Sequence, residues 1–346
     1  MSDHKLTLTE VELREITDED CAAYWVLSEA VRAEHLPDDP PITYEMFAGR
    51  CRSVPSFFTM RALFVRPAPG EPMIAAATVG FDISGENAHL AQFSVEVVAA
   101  QRRRGLGRTL LAWVAHATRE NGRRSLITST NSPVGEIFMR RIGAHPGLEN
   151  RQSQLALADL DRSLLARWQA DADEAGSAFE LLFWDNHYPE EYLHAFASLG
   201  EVMNTAPRGD LEIEDHKITP ERIHERVASI WARGDFFWTI VAREIASGQM
   251  VGFTEIFGNP ASPSILYQGA TAVCPEYRGQ HLGRWMKAAM LDLILSDLPA
   301  ARFIRTGNAV NNAPMLTINA ELGFKPYLVS IVWQIDVEQV LAYAER

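Results

Sequence analysis

The sequence predicts an α/β fold, a mixed central sheet flanked by helices, built twice in one chain of 346 residues. Three observations carry that expectation. A short pattern of apolar strand, basic turn and helix occurs at Val95–Gly107 and again at Thr271–Gly283. Aligning Arg102 with Arg278 gives an offset of 278 − 102 = 176 residues, and aligning Gly143 with Gly323 gives 323 − 143 = 180, so the register is kept over some forty residues. The order of elements around the two copies is also the same.

In the first half, apolar alternation and β-branched content predict strands at 62–66, 74–82 and 89–98, a helix from 107 to about 121, a strand at 125–128 and a helix at 134–142. In the second half the same order runs 237–243, 250–257, 265–273, a helix from 283 to about 295, a strand at 303–306, a helix at 314–322 and a last strand at 327–335. Each half opens with helical material, at 18–35 in the first and at 190–203 and 220–231 in the second. Prolines and glycines at 66–70 and 258–260 suit turns, since proline fixes φ and glycine accepts positive φ. The polar stretch 158–176 reads as a connecting helix ending at Gly176, and 178–184 as the first strand of the second half. The expected division is therefore 1–158, a linker at 159–176, and 177–346. Strands followed by a crossover helix and a further strand imply helices on both faces of each sheet.

Composition bounds the function. A formal charge of −13 argues against nucleic-acid binding, which needs a basic face, and suits a cationic acceptor such as an amine. Residues 1–8 contain no apolar segment of signal-peptide type, and no apolar run approaches the ~18 residues of a membrane span, so a cytoplasmic chain without membrane partners is expected. Cys21, Cys51 and Cys274 are too few and too irregular for a disulfide framework or a thiolate zinc site, and His4, His35, His116 and His216 lie at no metal-ligand spacing. Ser94 and Ser125 have no histidine and acid at a recognisable spacing, which leaves a serine hydrolase unsupported.

Against this acidic background, Arg102, Arg103, Arg104 and Arg108 form a basic spot at the start of a helix. A helix N-terminus presents unpaired N–H groups and partial positive charge to an anion. Gly105 and Gly107 remove the side chains that would stand between those amides and a diphosphate, and the arginines add charge-assisted contacts.

The element order resembles that of the GCN5-related N-acetyltransferases (GNATs). So do the spaced residues Val95-x-Val97-x-Ala99-x-x-Arg102-x-x-Gly105-x-Gly107 and Thr271-x-Val273-x-Pro275-x-x-Arg278-x-x-His281-x-Gly283. Downstream, Asn312-x-x-Met315-x-x-Ile318-x-x-x-Leu322-Gly323-Phe324 extends the likeness. The duplication is similar in layout to two-domain actinobacterial members such as mycothiol synthase, and the likeness covers essentially the whole chain. It implies acetyl-CoA as cosubstrate, its pantetheine arm beside the strand ending at Val95 and Val97 or at Val273. Its diphosphate would lie on Arg102 to Arg104, Gly105, Gly107 and Arg108 in the first half, or on Arg278, Gly279, His281, Gly283 and Arg284, with Asn312 nearby, in the second. A backbone N–H near the same strand end would hold the thioester oxygen as charge develops on it.

Two departures bear on activity. His281 stands where the family has glycine, and its side chain either blocks the diphosphate, donates to a phosphate oxygen or points outward. The resemblance also implies a tyrosine seven residues after the asparagine, to protonate the leaving thiolate. The chain has Asn319 there in one copy and Met139 in the other, and Ser132 in place of the first asparagine. Transfer to an amine needs that amine neutral, which calls for a base. Glu255 and Tyr267 in the second half and Asp82 and His89 in the first are the titratable groups on the central strands, whereas Glu96 alternates away from Val95 and Val97. Asp38, Asp39, Glu190 and Glu191 either attract a cation or simply face solvent. Cys274, beside the second strand end, leaves an acyl-enzyme route open next to direct attack.

The expected function is acetyl transfer from acetyl-CoA to a primary amine, on a small molecule or a peptide, by direct attack on the thioester. The alternative is a degenerate acyl-CoA-binding pair with a sensor or scaffold role. Homodimerisation is compatible with either.

Overall fold

The computed structural model describes residues 6–174 and 178–345. The chain divides into two compact units. The first runs to Glu149 and also takes in Gly209–Glu214 and the chain from Ser330 onward, and the second comprises Asn150–Arg208 and Asp215–Val329.

The first unit contains β1 (Thr7–Glu12), α1 (Asp18–His35), α2 (Tyr44–Arg52), β2 (Phe58–Arg66), β3 (Ala75–Asp82), β4 (Leu90–Val97), α3 (Leu106–Glu120), β5 (Ser125–Thr130) and α4 (Pro133–Ile142). Thr17 caps α1 by accepting the Asp20 amide at 3.1 Å, ahead of the acidic first turn Asp18, Glu19 and Asp20 that suits a helix N-terminus. In α3, Leu106, Leu110, Leu111 and Val114 recur at helical spacing and pack on Ala77, Val79 and Phe93 of the sheet, while Cys21, Tyr24 and Leu27 of α1 cover the opposite face with Phe64 and Ala76. β1 to β4 pair antiparallel in chain order, and β4 pairs parallel with β5 over Leu90↔Ser125 to Gln92↔Ile127.

The chain then enters β6 (His145–Ala156), whose part from Asn150 belongs to the second unit. That unit continues through α5 (Arg162–Glu174), β7 (Phe179–Asp185), α6 (Leu193–Gly200), α7 (Pro220–Ala232), β8 (Phe236–Glu244), β9 (Met250–Gly258), β10 (Ile265–Val273), α8 (Leu282–Asp297), β11 (Phe303–Ala309) and α9 (Ala313–Glu321). β7 to β10 pair antiparallel in order, β10 pairs parallel with β11 over Ile265↔Phe303 to Tyr267↔Arg305, and β11 pairs antiparallel with β6. Last come β12 (Lys325–Asp336) and α10 (Val337–Ala344).

The two closing strands are exchanged between the halves. β12 pairs with β5 of the first unit from Ile331↔Thr130 to Asp336↔Ser125, and β6 closes the second unit from Asn150↔Ala309 to Ala156↔Phe303. Trp333, fully buried, donates its indole N–H to Thr130 Oγ1 at 2.7 Å and joins the core of the first unit, and Leu155, fully buried, joins that of the second. The division 1–158 and 177–346 assigns both strands to the other unit. The break expected at Gly176 and the end of the linker lie outside the described residues. The alternation that predicts strands passes over β6 because its run His-Pro-Gly-Leu-Glu-Asn-Arg-Gln-Ser-Gln is polar and poor in β-branched residues.

One asymmetry lies on the central strands. In the first unit β3 and β4 keep a continuous register from Ala75↔Val97 to Gly80↔Gln92. In the second, β10 has two residues, Gly269 and Ala270, opposite the single Glu255 of β9, because Gln268 pairs Ile256 and Thr271 pairs Thr254. That is a β-bulge.

Candidate functional site

Both parallel ladders are only three residues long, ending at Gln92 and at Tyr267, so the rest of β4 and of β10 lacks a parallel neighbour on that side. The free stretches hold Val95 and Val97 in one half and Val273 in the other, and each runs into the basic loop. The two loops share one backbone. Positions 103 and 279 are left-handed, Arg103 at φ 64° and Gly279 at φ 81°, and so are positions 105 and 281, Gly105 at φ 89° and His281 at φ 60°. Each copy has its glycine at a different one of the two left-handed positions. Successive N–H groups in such a turn form a concavity for an anion at the helix start.

Arg102 and Arg278 also do the same thing. Each donates Nε–H to the carbonyl of the last strand residue, Arg102 to Val97 at 3.0 Å and Arg278 to Val273 at 3.1 Å, which pins the loop to the strand end. Their other ends differ. Arg102 pairs with Glu34 of α1 at 2.6 Å, while Arg278 donates to the Thr205 hydroxyl at 3.0 Å and has no carboxylate partner among the described residues. Arg103, Arg104 and Arg108 are exposed at the first loop.

In the second unit a cavity of about 680 Å³ opens at this loop. Val273, Arg278, Gly279, His281, Gly283, Arg284 and Asn312, all the residues expected there from the sequence, line it. Val202, Thr205 and Pro207 form a further wall, which the sequence did not suggest. A Cβ built on Gly283 would meet only Ile318 at 3.7 Å, so the helix start is open on the cavity side. Arg284 is less available than its position suggests, because both arms of its guanidinium rest on Glu321 at 2.9 Å and it stacks over Trp168 at 5.6 Å. Asn312 caps α9 through Oδ1, accepting the Met315 amide at 3.4 Å, and Ser132 caps α4 in the same way with Gly135 at 3.2 Å. Ser132 and Asn312 are thus equivalent caps. Asn319 is buried against Asn308, Nδ2 to Oδ1 at 2.8 Å, with its own Oδ1 unpartnered, and Met139 is buried in core.

The four groups considered as bases fall in different places. Asp82 and His89 lie at the far end of the first sheet, about 25 Å along β4 from the loop. Asp82 Oδ1 accepts the Ser84 amide and hydroxyl at 2.7 and 2.5 Å, and His89 holds the Gly209–Glu214 segment, Nε2 to the Glu212 carbonyl at 3.0 Å. Glu255, 1% exposed, has both oxygens engaged, Oε1 by the Tyr188 hydroxyl at 2.7 Å and Oε2 by Arg226 at 2.8 Å, which occupies two of the roughly four lone pairs a carboxylate offers. Burial, followed by the Glu255 charge, pushes the Tyr188 phenol well above its ordinary value. Tyr267 is 47% exposed and lies two residues before the bulge.

Glu96, set aside in the sequence, faces α1 as its alternation predicts and accepts the Ser28 hydroxyl at 2.7 Å. Burial raises its carboxyl above the ordinary value, with the Ser28 bond opposing. At offset 176 its counterpart is Ala272, which lines the second cavity, so the first half carries a carboxyl where the second has a methyl. Burial raises the Cys274 thiol, and its thiolate is disfavoured accordingly. Arg226 and Tyr188 have no local signature, since their partner Glu255 is 29 and 67 residues away. Among the described residues there is no helix long and apolar enough to cross a membrane and no cluster of three or more metal-ligating side chains.

No family model matches the chain, and no curated protein matches it in sequence. Solved structures do. A tandem GNAT protein from the clavulanic acid biosynthesis pathway, solved without AcCoA, is 24% identical over 96% of this chain and 99% of its own, with a TM-score of 0.79. A GCN5-related N-acetyltransferase from Sphaerobacter thermophilus is 14% identical over 97% of both chains, at 0.64. A GCN5-related glucosamine N-acetyltransferase region of a fungal multi-domain GH3 β-N-acetylglucosaminidase is 11% identical over 97% of this chain and 38% of its own, at 0.68. Element order, duplicated loop and these likenesses agree: the chain has the tandem GCN5-related N-acetyltransferase fold.

Proposed function

We propose that the chain transfers an acetyl group from acetyl-CoA to a primary amine, and that the second half holds the acetyl-CoA. The observation that carries the reading is a cavity of about 680 Å³ that gathers residues of the second loop from Val273 to Arg284 together with Asn312. The helix start at Leu282 and the left-handed Gly279 and His281 offer N–H groups to a diphosphate, with Arg278 as the neighbouring cation. The free edge of β10 offers backbone groups to a pantetheine arm.

The bulge at Gly269 and Ala270 supplies the remaining element. A bulge leaves a residue outside the ladder, and an N–H so released beside the cavity suits the oxygen of a thioester as negative charge grows on it. The amine attacks the thioester carbon, the carbon–sulfur bond breaks, and CoA leaves as thiolate. With Asn319 and Glu255 both buried, the amine loses its proton and the thiolate gains one through water. Tyr267 is the one exposed titratable side chain on β10 near the bulge. The test is thiol release from acetyl-CoA with a panel of amines, and N-acetyl product by mass spectrometry.

The buried Asn319 and Met139 favour a second reading, an acyl-CoA-binding pair that does not turn over. Binding of acetyl-CoA with no product from any amine would support it.

A further inference from the structure

Resting on that reading, the second half also carries a feature that specifies the acceptor. Glu255 is 1% exposed within a cluster that includes Tyr188, Phe237 and Phe257. A buried carboxylate in such a place is costly unless fully paired. It is paired on both oxygens, and one partner, Arg226 of α7, has a side chain 44% exposed. The ion pair therefore has a direction, with its negative end inside and its positive end outward. Arg226 gives one Nη2–H to Glu255 and lies over the Phe257 ring at 5.4 Å, while its Nε and Nη1 donors keep no partner among the described residues. A guanidinium with one Nη2–H held keeps its Nη1 hydrogens and its second Nη2–H, and such a group can still meet a carboxylate.

Its position relates it to the bulge. Phe257 is the ladder partner of Tyr267, and Glu255 sits opposite Gly269 and Ala270. Neighbouring strands lie about 4.8 Å apart and the Glu255 side chain carries the guanidinium off the sheet by a further stretch of similar length, so guanidinium and bulge stand on the order of 10 Å apart, within reach of one small amino-acid conjugate. The first half lacks this device. Ala76 pairs Glu96 as Phe253 pairs Ala272, and two residues further along the same face stand Thr78 in the first half and Glu255 in the second, Thr78 sharing a hydrogen bond with Ser94 at 2.7 Å.

We infer that Arg226 binds a carboxylate of the acceptor, and hence that the second half acetylates amines bearing one, namely amino acids or their short conjugates. The single charge of a carboxylate matches one guanidinium, whereas a doubly charged phosphate monoester calls for a further cation.

The test presents acetyl-CoA with the twenty common amino acids and their glycyl dipeptides, each beside its C-terminal amide, and follows thiol release. The expected result is a best acid at least about tenfold above its amide in kcat/KM, since a site built for a charged group rejects the analogue lacking it. Arg226→Gln should bring the two within about twofold without moving the acetyl-CoA dissociation constant. Because that change strands the buried Glu255, the double variant R226Q/E255Q, which removes both charges, serves as the folded control and should lose the preference likewise. An amide equal to its acid, a preference that survives in both variants, or acetyl-CoA binding with no acid acetylated would overturn the inference. Failure of the wild type to bind acetyl-CoA at all would instead remove the reading beneath it.

Discussion

Gly105 and His281 cap α3 and α8 with the same left-handed backbone, at φ 89° and 60°. The conformation is therefore required by the loop, and glycine is only the less strained way to supply it. A side chain in this region costs roughly 1 kcal/mol. His281→Gly should raise the melting temperature by roughly 2–4 °C, given the size of the unit. Acetyl-CoA affinity should be kept, because the loop N–H groups stay in place. Differential scanning calorimetry and a binding titration on the same variant check both.

Lys287 is 2% exposed in α8, without a carboxylate partner among the described residues and 6.0 Å from the Phe324 ring. Its repeat counterpart at offset 176 is the fully buried Leu111. Burial lowers its pKa from 10.5 to about 7. Below that value the folded chain must hold a buried charge, so the destabilisation is complete there and fades as pH rises toward 10.5, where the unfolded chain also becomes neutral. Wild-type stability should thus increase by up to about 1.4 kcal/mol per pH unit above pH ~7. Lys287→Met should be more stable than wild type at pH 6, with the gap closing by pH 10. Urea unfolding at several pH values measures it, and a gap that widens with pH would refute the assignment.

The Gly209–Glu214 segment is fastened to the first unit by Asp210 N–H to the Gly147 carbonyl at 2.9 Å, Glu212 N–H to Gln334 Oε1 at 2.8 Å, and the reciprocal pair Asn87 and Glu214 at 2.7 and 2.9 Å. A Cβ on Gly209, at φ 59°, would stand 2.0 Å from the Gly147 carbonyl oxygen. Gly209→Ala should cost about 1–3 kcal/mol through strain or release of the segment. Faster amide exchange at Glu212 and Glu214 would distinguish release from strain.

The loops and the duplication were legible because their signal is local: glycines, arginines and an apolar strand within a dozen residues. The strand exchange was not, because Trp333 and Ile335 make an apolar alternation that any sheet would accept, and β6 is too polar to show a strand at all. At the site, Arg278, Gly283 and Asn312 were readable from their motif. The pairing of Glu255 was not, since it depends on Tyr188 and Arg226 arriving from other elements, and position on a strand does not reveal which partners a carboxylate meets. Asp82 ends β3 and His89 is the turn residue before β4, both at the end of the first sheet away from the loop, a distance that the face pattern does not encode.

Calorimetric titration of acetyl-CoA against wild type, Gly283→Glu and Gly105→Glu tests most directly where the cosubstrate lies. Gly283 is within helix α8 with room for a Cβ, so Gly283→Glu brings a carboxylate into the cavity without a backbone conflict. The expected result is binding by the wild type, loss of a site with at least about tenfold weaker affinity in Gly283→Glu, and that same site intact in Gly105→Glu. No heat with wild type, or a site lost in Gly105→Glu and unchanged in Gly283→Glu, would contradict it.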